Sequence, residues 1–299
     1  LGASGLADIP DEDGDQVDWI EVTNFGAKPA NLAGWYLTDS FRNLARWRFP
    51  QVNLAPGQRL LVFASGKNRR DPSRLLHTNF KLNDRGEYLA LVQPDGQTVA
   101  HEFLPKYPRQ RGGVSFGLRE GLRFDDVRRS VTAGAYTYFD QMTPGATNTG
   151  AVRGVVADLK ANLAGSVVDA PVLLTLTTRS PGVQIRYTTN GSTPSETSGM
   201  IYDRPLRIAA TTVLRAAAFH PGFAPSEIIT RSFIFPQQLM HQTGAGFPVV
   251  WGYTNGQPVA AFYAMDRRIT EGPEYQKDFL NGLRALPSLS LVTDLDNLF

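Results

Sequence analysis

The sequence contains no cysteine among its 299 residues. That absence excludes disulfide bonds, thiolate metal sites and a cysteine nucleophile. The chain also has no apolar run of 18 or more residues, so no membrane-spanning helix is predicted. Its net charge of +2 is too close to neutral to indicate a nucleic-acid-binding protein. Histidine is scarce. The four histidines, His77, His101, His220 and His241, lie too far apart in the sequence to show the spacing of a metal-binding motif.

Short runs of β-forming residues alternate with turn signals in the first third of the chain. Within the first run, Ile20 and Val22 share one strand face and Glu21 and Thr23 the other, as a half-buried strand requires. The pattern predicts an antiparallel sandwich whose core contains Trp19, Trp35, Trp47 and Phe49. The predicted strands cover residues 17–23, 35–38, 46–49, 59–64, 87–93 and 98–103.

A second β region follows a segment at 105–150 that is rich in glycine and arginine, which we interpret as an ordered tail and linker. Asn190-Gly191 predicts a tight turn after one of its strands. The predicted strands here cover residues 172–178, 183–189, 206–208, 212–219 and 228–235. The fold class is therefore predicted to be all-β, with two tandem antiparallel β-sandwiches and a short mixed α/β C-terminal segment. The predicted domains are 1–150, 151–236 and 237–299.

Five ordered blocks carry a resemblance to the lamin-tail domain of large bacterial surface proteins. They are DWIEVTN (18–24), NLAGWYLTD (31–39), WRFP (47–50), LVFASG (61–66) and LHTNF (76–80). The match covers about residues 8–118, and TPGATN (143–148) resembles the phrase that usually closes such a region. The resemblance implies an immunoglobulin-like sandwich used for attachment or interaction, with no catalytic residues to transfer.

The second β region is similar to the chitobiase/β-hexosaminidase C-terminal domain over about residues 155–236. The blocks that carry this similarity are IRYTTNGSTP (185–194), TVLRA (212–216) and GFAPS (222–226). The similarity implies a small immunoglobulin-like accessory sandwich found beside enzymes, and not the glycosidase barrel. The turn at 190–191 already explains Asn190-Gly191-Ser192, so we do not interpret that N-glycosylation sequon as functional.

The C-terminal segment resembles the start of CotH-type, spore-coat-protein-H kinase-like domains. An irregular connection at 237–257 is predicted to precede YAMD (263–266) and an amphipathic helix of about twelve residues after Gly272-Pro273. LPSLSLVTD (286–294) then predicts a short strand and a helix start at Thr293. We expect residues 285–299 to begin a further domain, and the start at Leu1 is compatible with processing.

The acidic residues near the start of the chain have the oxygen-ligand density that a hard cation such as calcium prefers. The candidate calcium ligands are Asp11, Asp13, Asp15 and Asp18. The run fails the EF-hand template, because Gln16 stands where its glycine should be. The alternative is that the acidic run and the basic run at 67–74 are solvated turns of opposite sign. No other cofactor is predicted.

Catalytic motifs are weak. Residues 64–67 lack the spacing of a phosphate-binding loop, and no Gly-x-Ser-x-Gly elbow is present. A catalytic triad stays open, because triads assemble in space. His77 is predicted to have a packing or hydrogen-bonding role. No catalytic or cofactor-binding residue is predicted, and no enzyme is predicted within these residues; a catalytic domain after Phe299 stays open.

The leading functional hypothesis is a non-catalytic extracellular or cell-surface module of a bacterial protein that mediates attachment or assembly. Two alternatives stay open: the accessory region of a CotH-type protein kinase, and a carbohydrate-binding module. The expected partner is a protein or a cell-surface component, including a second copy of the chain, with carbohydrate as the alternative. Nucleic acid is not expected.

Overall fold

The computed structural model describes residues 2–4, 9–119, 135–287 and 289–292. The chain divides into two compact units. The first comprises Leu1–Val155 with Gly222–Ala224, and the second comprises Val156–Pro221 with Pro225–Phe299. The predicted division into three segments stays a prediction.

The first unit contains two sheets, with strands numbered along the chain. The larger has the spatial order β13 (Ala151–Val152), β12 (Tyr136–Phe139), β11 (Ser115–Leu118), β1 (Gly2–Ser4), β2 (Trp19–Thr23), β7 (Arg59–Phe63) and β8 (Leu76–His77). The smaller has the order β10 (Val99–Phe103), β9 (Leu89–Val92), β4 (Tyr36–Thr38) and β5 (Trp47–Arg48). A short ribbon pairs β3 (Ala30–Asn31) with β6 (Asn53–Leu54). All neighbours are antiparallel except β7 and β8, and all six predicted strands are confirmed.

The core of this unit forms where the two sheets face one another. Ile20 and Val62 come from the larger sheet, and Leu37, Leu89 and Phe103 come from the smaller, and all five are fully buried. Removing so much apolar surface from water is the main stabilising contribution of such a sandwich. The four predicted aromatic core residues are confirmed as buried or packed against buried clusters: Trp19, Trp35, Trp47 and Phe49.

The prediction for residues 105–150, an ordered tail that wraps the first sandwich and then a linker, did not include any strand in this segment. Two strands of the larger sheet, β11 and β12, lie in this segment and pair through Ser115↔Phe139 to Leu118↔Tyr136. In β11, Phe116 and Leu118 share one face and Ser115 and Gly117 the other, so the alternation covers only four residues of a glycine- and arginine-rich segment. β12 is aromatic on both faces and does not show the period of two that marks a half-buried strand.

The second unit is built on a five-stranded sheet. Its spatial order is β15 (Ser166–Val167), β22 (Ile229–Ile234), β21 (Thr212–Phe219), β18 (Gln184–Thr188) and β19 (Met200–Ile201). Two ribbons accompany it: β14 (Lys160–Ala161) with β17 (Leu176–Thr177), and β16 (Val172–Leu174) with β20 (Leu206–Ile208). The predicted strands are confirmed, although the first is divided between β16 and β17. The predicted turn is also confirmed, since Gly191 has φ +82° and Asn190 Oδ1 accepts a hydrogen bond from Ser192 N.

Where the structure describes it, the C-terminal part of the second unit contains a β-hairpin and three helices: α1 (Pro236–Leu239), β23 (Val250–Thr254), β24 (Gln257–Ala260), α2 (Arg267–Thr270) and α3 (Gln276–Ala285). The predicted irregular connection at 237–257 is thus wrong at both ends, because α1 covers residues 237–239 and the hairpin begins at Val250. Asn255 and Gly256 have φ +52° and +74° and form a two-residue turn. An Asn-Gly pair is the strongest short-range hairpin signal, so the sequence carries the information for this turn.

The predicted helix is confirmed as α3, with ten residues. The predicted strand after it is wrong for residues 289–292, which form no strand and leave Leu289 and Leu291 84% exposed. The predicted helix start at Thr293 lies outside the described residues. The fold class is all-β, as predicted. Among the described residues, no helix has the length and apolar character needed to cross a membrane.

Candidate functional site

A folded acidic turn at residues 11–15 lies in the first unit, and Asp11 organises it. The Asp11 carboxylate accepts hydrogen bonds from the backbone N–H groups of Asp13 and Asp15, both at 3.0 Å. The backbone closes the turn, because Asp11 N donates to the Asp15 carbonyl at 2.9 Å. Gly14 adopts φ +84°, which a residue with a side chain tolerates poorly. The turn therefore presents its carboxylates as one group.

The ammonium of Lys67 binds that group. Its Nζ lies 2.5 Å from Oδ2 of Asp11, 2.5 Å from Oδ2 of Asp13 and 2.8 Å from Oδ2 of Asp15. Arg69 adds a second cation, 2.6 Å from the Asp13 carboxylate. The interpretation of the acidic and basic runs as separate solvated turns is wrong, because they pair with one another. We call Asp11, Asp13, Asp15, Lys67 and Arg69 the ionic clasp.

A chain of hydrogen bonds, buried at Ser65 and His77 and exposed at Glu12, lies beside the ionic clasp. His77 Nε2 is 2.9 Å from Glu12 Oε2, and His77 Nδ1 is 2.8 Å from Ser65 Oγ. With Glu12 ionised, we assign the Nε2 proton as donated to its carboxylate, so that Nδ1 accepts from the serine hydroxyl. Sequence analysis predicted a hydrogen-bonding role for His77, which is confirmed, but it did not predict Ser65 or Glu12.

The Ser65–His77–Glu12 chain has the connectivity of a catalytic triad, but its environment is closed. Ser65 and His77 are both buried, and the imidazole stacks on the Phe63 ring at a centroid distance of 5.3 Å. The serine hydroxyl also accepts a hydrogen bond from Lys67 N at 3.2 Å. A substrate carbonyl has to reach the hydroxyl for acyl transfer. The geometry supports a structural tether between the acidic turn and strands β7 and β8.

The electrostatics of the ionic clasp favour charged side chains. Hydrogen bonds from Arg69 and then Lys67 lower the pKa of Asp13 to about 2. Burial opposes ionisation of Asp11, but the hydrogen bond from Lys67 and those from two backbone N–H groups outweigh it and lower the Asp11 pKa. The pKa of Glu12 is also lowered, because hydrogen bonds from its own backbone, His77 and Arg69 outweigh its burial. These groups are ionised at neutral pH.

The candidate calcium ligands are partly brought together. Ligand atoms of Asp11, Asp13 and Asp15 lie within 4.8 Å of one another, a spacing that a cation could bridge. Asp18 is not in that group. The Lys67 ammonium binds the same three carboxylates, so calcium and Lys67 would compete for the same oxygens. The calcium site stays a prediction.

A second polar contact fastens the predicted closing phrase, residues 143–148, to the first unit. Glu21 Oε2 accepts a hydrogen bond from Gly145 N at 2.7 Å. Asn148 Nδ2 donates to the Leu118 carbonyl at 3.0 Å. Glu21 is consequently buried, although strand alternation places it opposite the core-facing Ile20. The prediction of a half-buried strand β2 is wrong, because the turn at 143–148 covers its second face.

His77, His101 and His220 make hydrogen bonds to different partners in different parts of the fold. His101 pairs through Nε2 with the hydroxyl of Tyr136, and this contact joins the smaller sheet to the larger. His220 Nδ1 donates to the Pro221 carbonyl at 3.1 Å. In the part of the chain that the structure describes, His77 is the sole histidine within a group of side chains able to hold a metal, together with Asp11 and Glu12.

The hairpin of β23 and β24 presents aromatic side chains to solvent. Tyr253 is 73% exposed and Trp251 49% exposed. The Tyr263 ring stacks on Phe247 at a centroid distance of 4.9 Å and lies 5.3 Å from the Trp251 ring. Every residue of β24 is exposed. Rings grouped in this way form an apolar surface of the kind that marks interaction sites.

Two family models match separate parts of the chain. Residues 8–103 match the Lamin Tail Domain. Residues 163–230 match the Chitobiase/beta-hexosaminidase C-terminal domain. Both resemblances predicted from the sequence are thereby confirmed for these ranges. Both are immunoglobulin-like, non-catalytic modules. No curated protein was found to match the chain.

The lamin-tail range contains the ionic clasp and the Ser65–His77–Glu12 chain, whereas the exposed aromatic hairpin lies after both matched ranges. These polar contacts therefore belong to a range that matches a non-catalytic module, which agrees with the buried positions of Ser65 and His77. The aromatic hairpin is a solvent-exposed apolar surface outside both matched ranges. The resemblance of the C-terminal segment to CotH-type domains stays a prediction.

Proposed function

We propose that this chain is a non-catalytic module of an extracellular or cell-surface protein of bacterial origin, and that it mediates attachment or assembly. The two matched immunoglobulin-like modules support the non-catalytic part of the proposal. The cysteine-free composition is compatible with the proposed setting. The attachment role rests on the exposed β23–β24 hairpin.

The hairpin supports assembly because it is a two-stranded ribbon. Among the described residues, β23 pairs with β24 and with no other strand, so both outer edges of the ribbon are available for pairing. A ribbon of two strands is marginally stable in water, and an open strand edge can pair with another strand. Trp251 and Tyr253 add apolar area that a partner would cover. The occupant we propose is the same hairpin of a second copy of the chain, because the contact is then self-complementary.

Sedimentation of the purified chain over a wide concentration range tests this proposal. We expect reversible association that Trp251→Ser with Tyr253→Ser abolishes. Leu173→Ser removes an apolar side chain that is 56% exposed elsewhere in the second unit and should associate as the wild type does. A wild-type chain that stays monomeric throughout and is not retained by a cell-surface fraction would contradict the proposal.

A carbohydrate-binding role is the second candidate, and the exposed rings of Trp251 and Tyr253 favour it. Flat aromatic faces pack against the apolar faces of sugar rings, and they keep their polar tips in contact with water. Retention on insoluble polysaccharides tests this role. We expect retention that the Trp251→Ser variant loses and Leu173→Ser keeps, whereas a wild type that passes through unretained excludes the role.

The role as accessory region of a CotH-type protein kinase rests on YAMD (263–266) and on helix α3. The deciding observation is the natural reading frame beyond Phe299. A catalytic kinase-like domain encoded there would support the accessory role, and a frame that ends without one would remove it.

A further inference from the structure

Several arginines of the lamin-tail range have a carboxylate partner. Arg46 lies 2.5 Å from Asp39, and Arg59 lies 3.5 Å from Glu21. Arg69 belongs to the ionic clasp. In contrast, within the part of the chain that the structure describes, no carboxylate lies within ion-pair distance of Arg48 or Arg70. Both side chains are exposed.

Arg48 and Arg70 line the same shallow depression, with a volume of about 330 Å³. Its other walls include Gly34, Pro50 and Gln51. Two guanidinium groups and a primary amide thus border one concave surface that has no acidic residue among its lining residues. Uncompensated cations that share a depression attract an anion, since its charge offsets their mutual repulsion.

The backbone positions Arg48 firmly. It lies on β5, where it pairs with Tyr36, and Phe49 N donates to the Trp35 carbonyl at 2.8 Å. Gly34 lies under the guanidinium and has φ +81°. A Cβ atom at Gly34 would lie 3.3 Å from Arg48 Nη2, so the glycine allows the arginine to lie close to the backbone.

The ionic clasp positions the segment that contains Arg70. The side chain of Arg69 is held by Glu12 and Asp13, and the Arg69 carbonyl accepts a hydrogen bond from His77 N at 2.9 Å. Arg70 follows directly, so its backbone is fixed while its side chain borders the depression. The two guanidinium groups therefore project from anchored positions, which lowers the entropy lost when they bind a ligand.

We propose that Arg48 and Arg70, with Gln51, form a binding site for an oxyanion carried on a larger ligand. Each guanidinium can donate two parallel N–H groups to oxygens of one anionic group. A phosphate or sulfate ester and a carboxylate share this chemistry. The site lies in the first unit and is independent of the aromatic hairpin on which the proposed attachment role rests.

Nuclear magnetic resonance of the arginine Nε–Hε groups in the full chain tests the site. Inorganic phosphate, sulfate and acetate are titrated separately, with chloride used to keep the ionic strength constant. We expect saturable shifts of the Arg48 and Arg70 signals. Tighter binding of phosphate and sulfate than of acetate identifies an ester anion as the ligand group, and equal or tighter binding of acetate identifies a carboxylate.

Matched variants complete the test. Arg48→Ala and Arg70→Ala should each weaken binding about tenfold, because each removes charge-assisted hydrogen bonds. Arg85→Ala removes the same charge from an exposed arginine outside the depression and should leave binding unchanged. Arg48→Lys keeps the charge but lacks the planar fork, and it should bind with intermediate affinity. Shifts that do not saturate, or a loss in Arg85→Ala equal to that in Arg48→Ala, would overturn the proposal.

Discussion

The carboxylate of Glu21 accepts a hydrogen bond from the backbone N–H of Gly145 at 2.7 Å, although 124 residues separate the two. Glu21 lies on β2, and its other carboxylate oxygen is 3.5 Å from Arg59 Nε. Burial raises the pKa of Glu21 in spite of these two contacts. Burying the Glu21 carboxylate therefore costs free energy. Removing one of its partners would cost more, because a buried polar group without a partner destabilises the fold.

Glu21→Ala should lower the free energy of unfolding by about 1–3 kcal/mol, because Gly145 N–H loses its acceptor and Arg59 loses its carboxylate partner. Urea unfolding followed by tryptophan fluorescence measures this, since three of the four tryptophans lie in the first unit. Glu21→Gln keeps an acceptor and should lose less. Glu196→Ala, at an exposed site in the second unit, is the control. An alanine variant as stable as the wild type would show that the turn at 143–148 is held by other contacts.

Local patterns were enough to predict half of the described strands, the helix α3 and the aromatic core. Alternation in β2 identifies the core-facing Ile20 and Val22 without knowledge of the rest of the chain. The same approach failed for β12, where Tyr138 and Phe139 place aromatic rings on both faces, because that strand is stabilised by its neighbours in the sheet. The Asn255-Gly256 hairpin was within reach of a local rule.

Local sequence patterns could not predict the ionic clasp or the Ser65–His77–Glu12 chain. The pair of Lys67 and Asp11 is 56 residues apart, and Glu12 and His77 are 65 apart. Each contact depends on how the loop after β7 is placed against the acidic turn, and no short-range pattern specifies that placement. Two runs of opposite charge were visible in the sequence, but charge alone does not distinguish pairing from solvation.

Lys67→Met leaves three carboxylates facing one another without their shared cation. We expect a lower melting midpoint than that of the wild type, because like charges held together repel. Calcium should restore part of the loss, since it would bind the oxygens that Lys67 has released. Lys28→Met removes the same charge from an exposed lysine and is the control.

The outcome that contradicts this account is a Lys67→Met chain that melts as the wild type does, with or without calcium. The same titration on the wild type examines the predicted calcium site directly. A melting midpoint that falls on addition of a chelator supports that site, and a midpoint unaffected by calcium and chelator removes the prediction.

The ionic clasp should make stability depend on pH in the acid range. Arg69 and Lys67 lower the Asp13 pKa to about 2, below its unfolded value near 3.8. A lowered carboxylate pKa stabilises the fold above the unfolded pKa, and this contribution is lost as pH falls through the folded pKa. We therefore expect melting midpoints to fall between about pH 4 and pH 2. Arg69→Met should flatten that part of the profile, whereas Arg85→Met should not; equal profiles for the two variants would contradict the assignment.

His101 should produce a separate loss of stability at higher pH. Burial lowers its pKa from 6.5 to about 2, so the imidazole is neutral in the folded chain. The unfolded chain takes up the proton below about pH 6.5, so stability is complete above that pH and falls as pH decreases toward the folded pKa. Each pH unit below 6.5 should cost about 1.4 kcal/mol, as measured by urea unfolding between pH 7 and pH 5.

The double variant His101→Phe with Tyr136→Phe removes both polar atoms of the pair that joins the two sheets and keeps two aromatic rings there. Replacing both partners of a buried hydrogen bond with apolar groups of similar shape can be nearly neutral for stability. We expect the double variant to lose the slope between pH 7 and pH 5 and to retain the acid loss that the ionic clasp causes. His241→Gln, at an exposed histidine, should keep the wild-type slope. If the double variant keeps that slope as well, the neutral His101 is not its source, because no titrating imidazole would remain at that position.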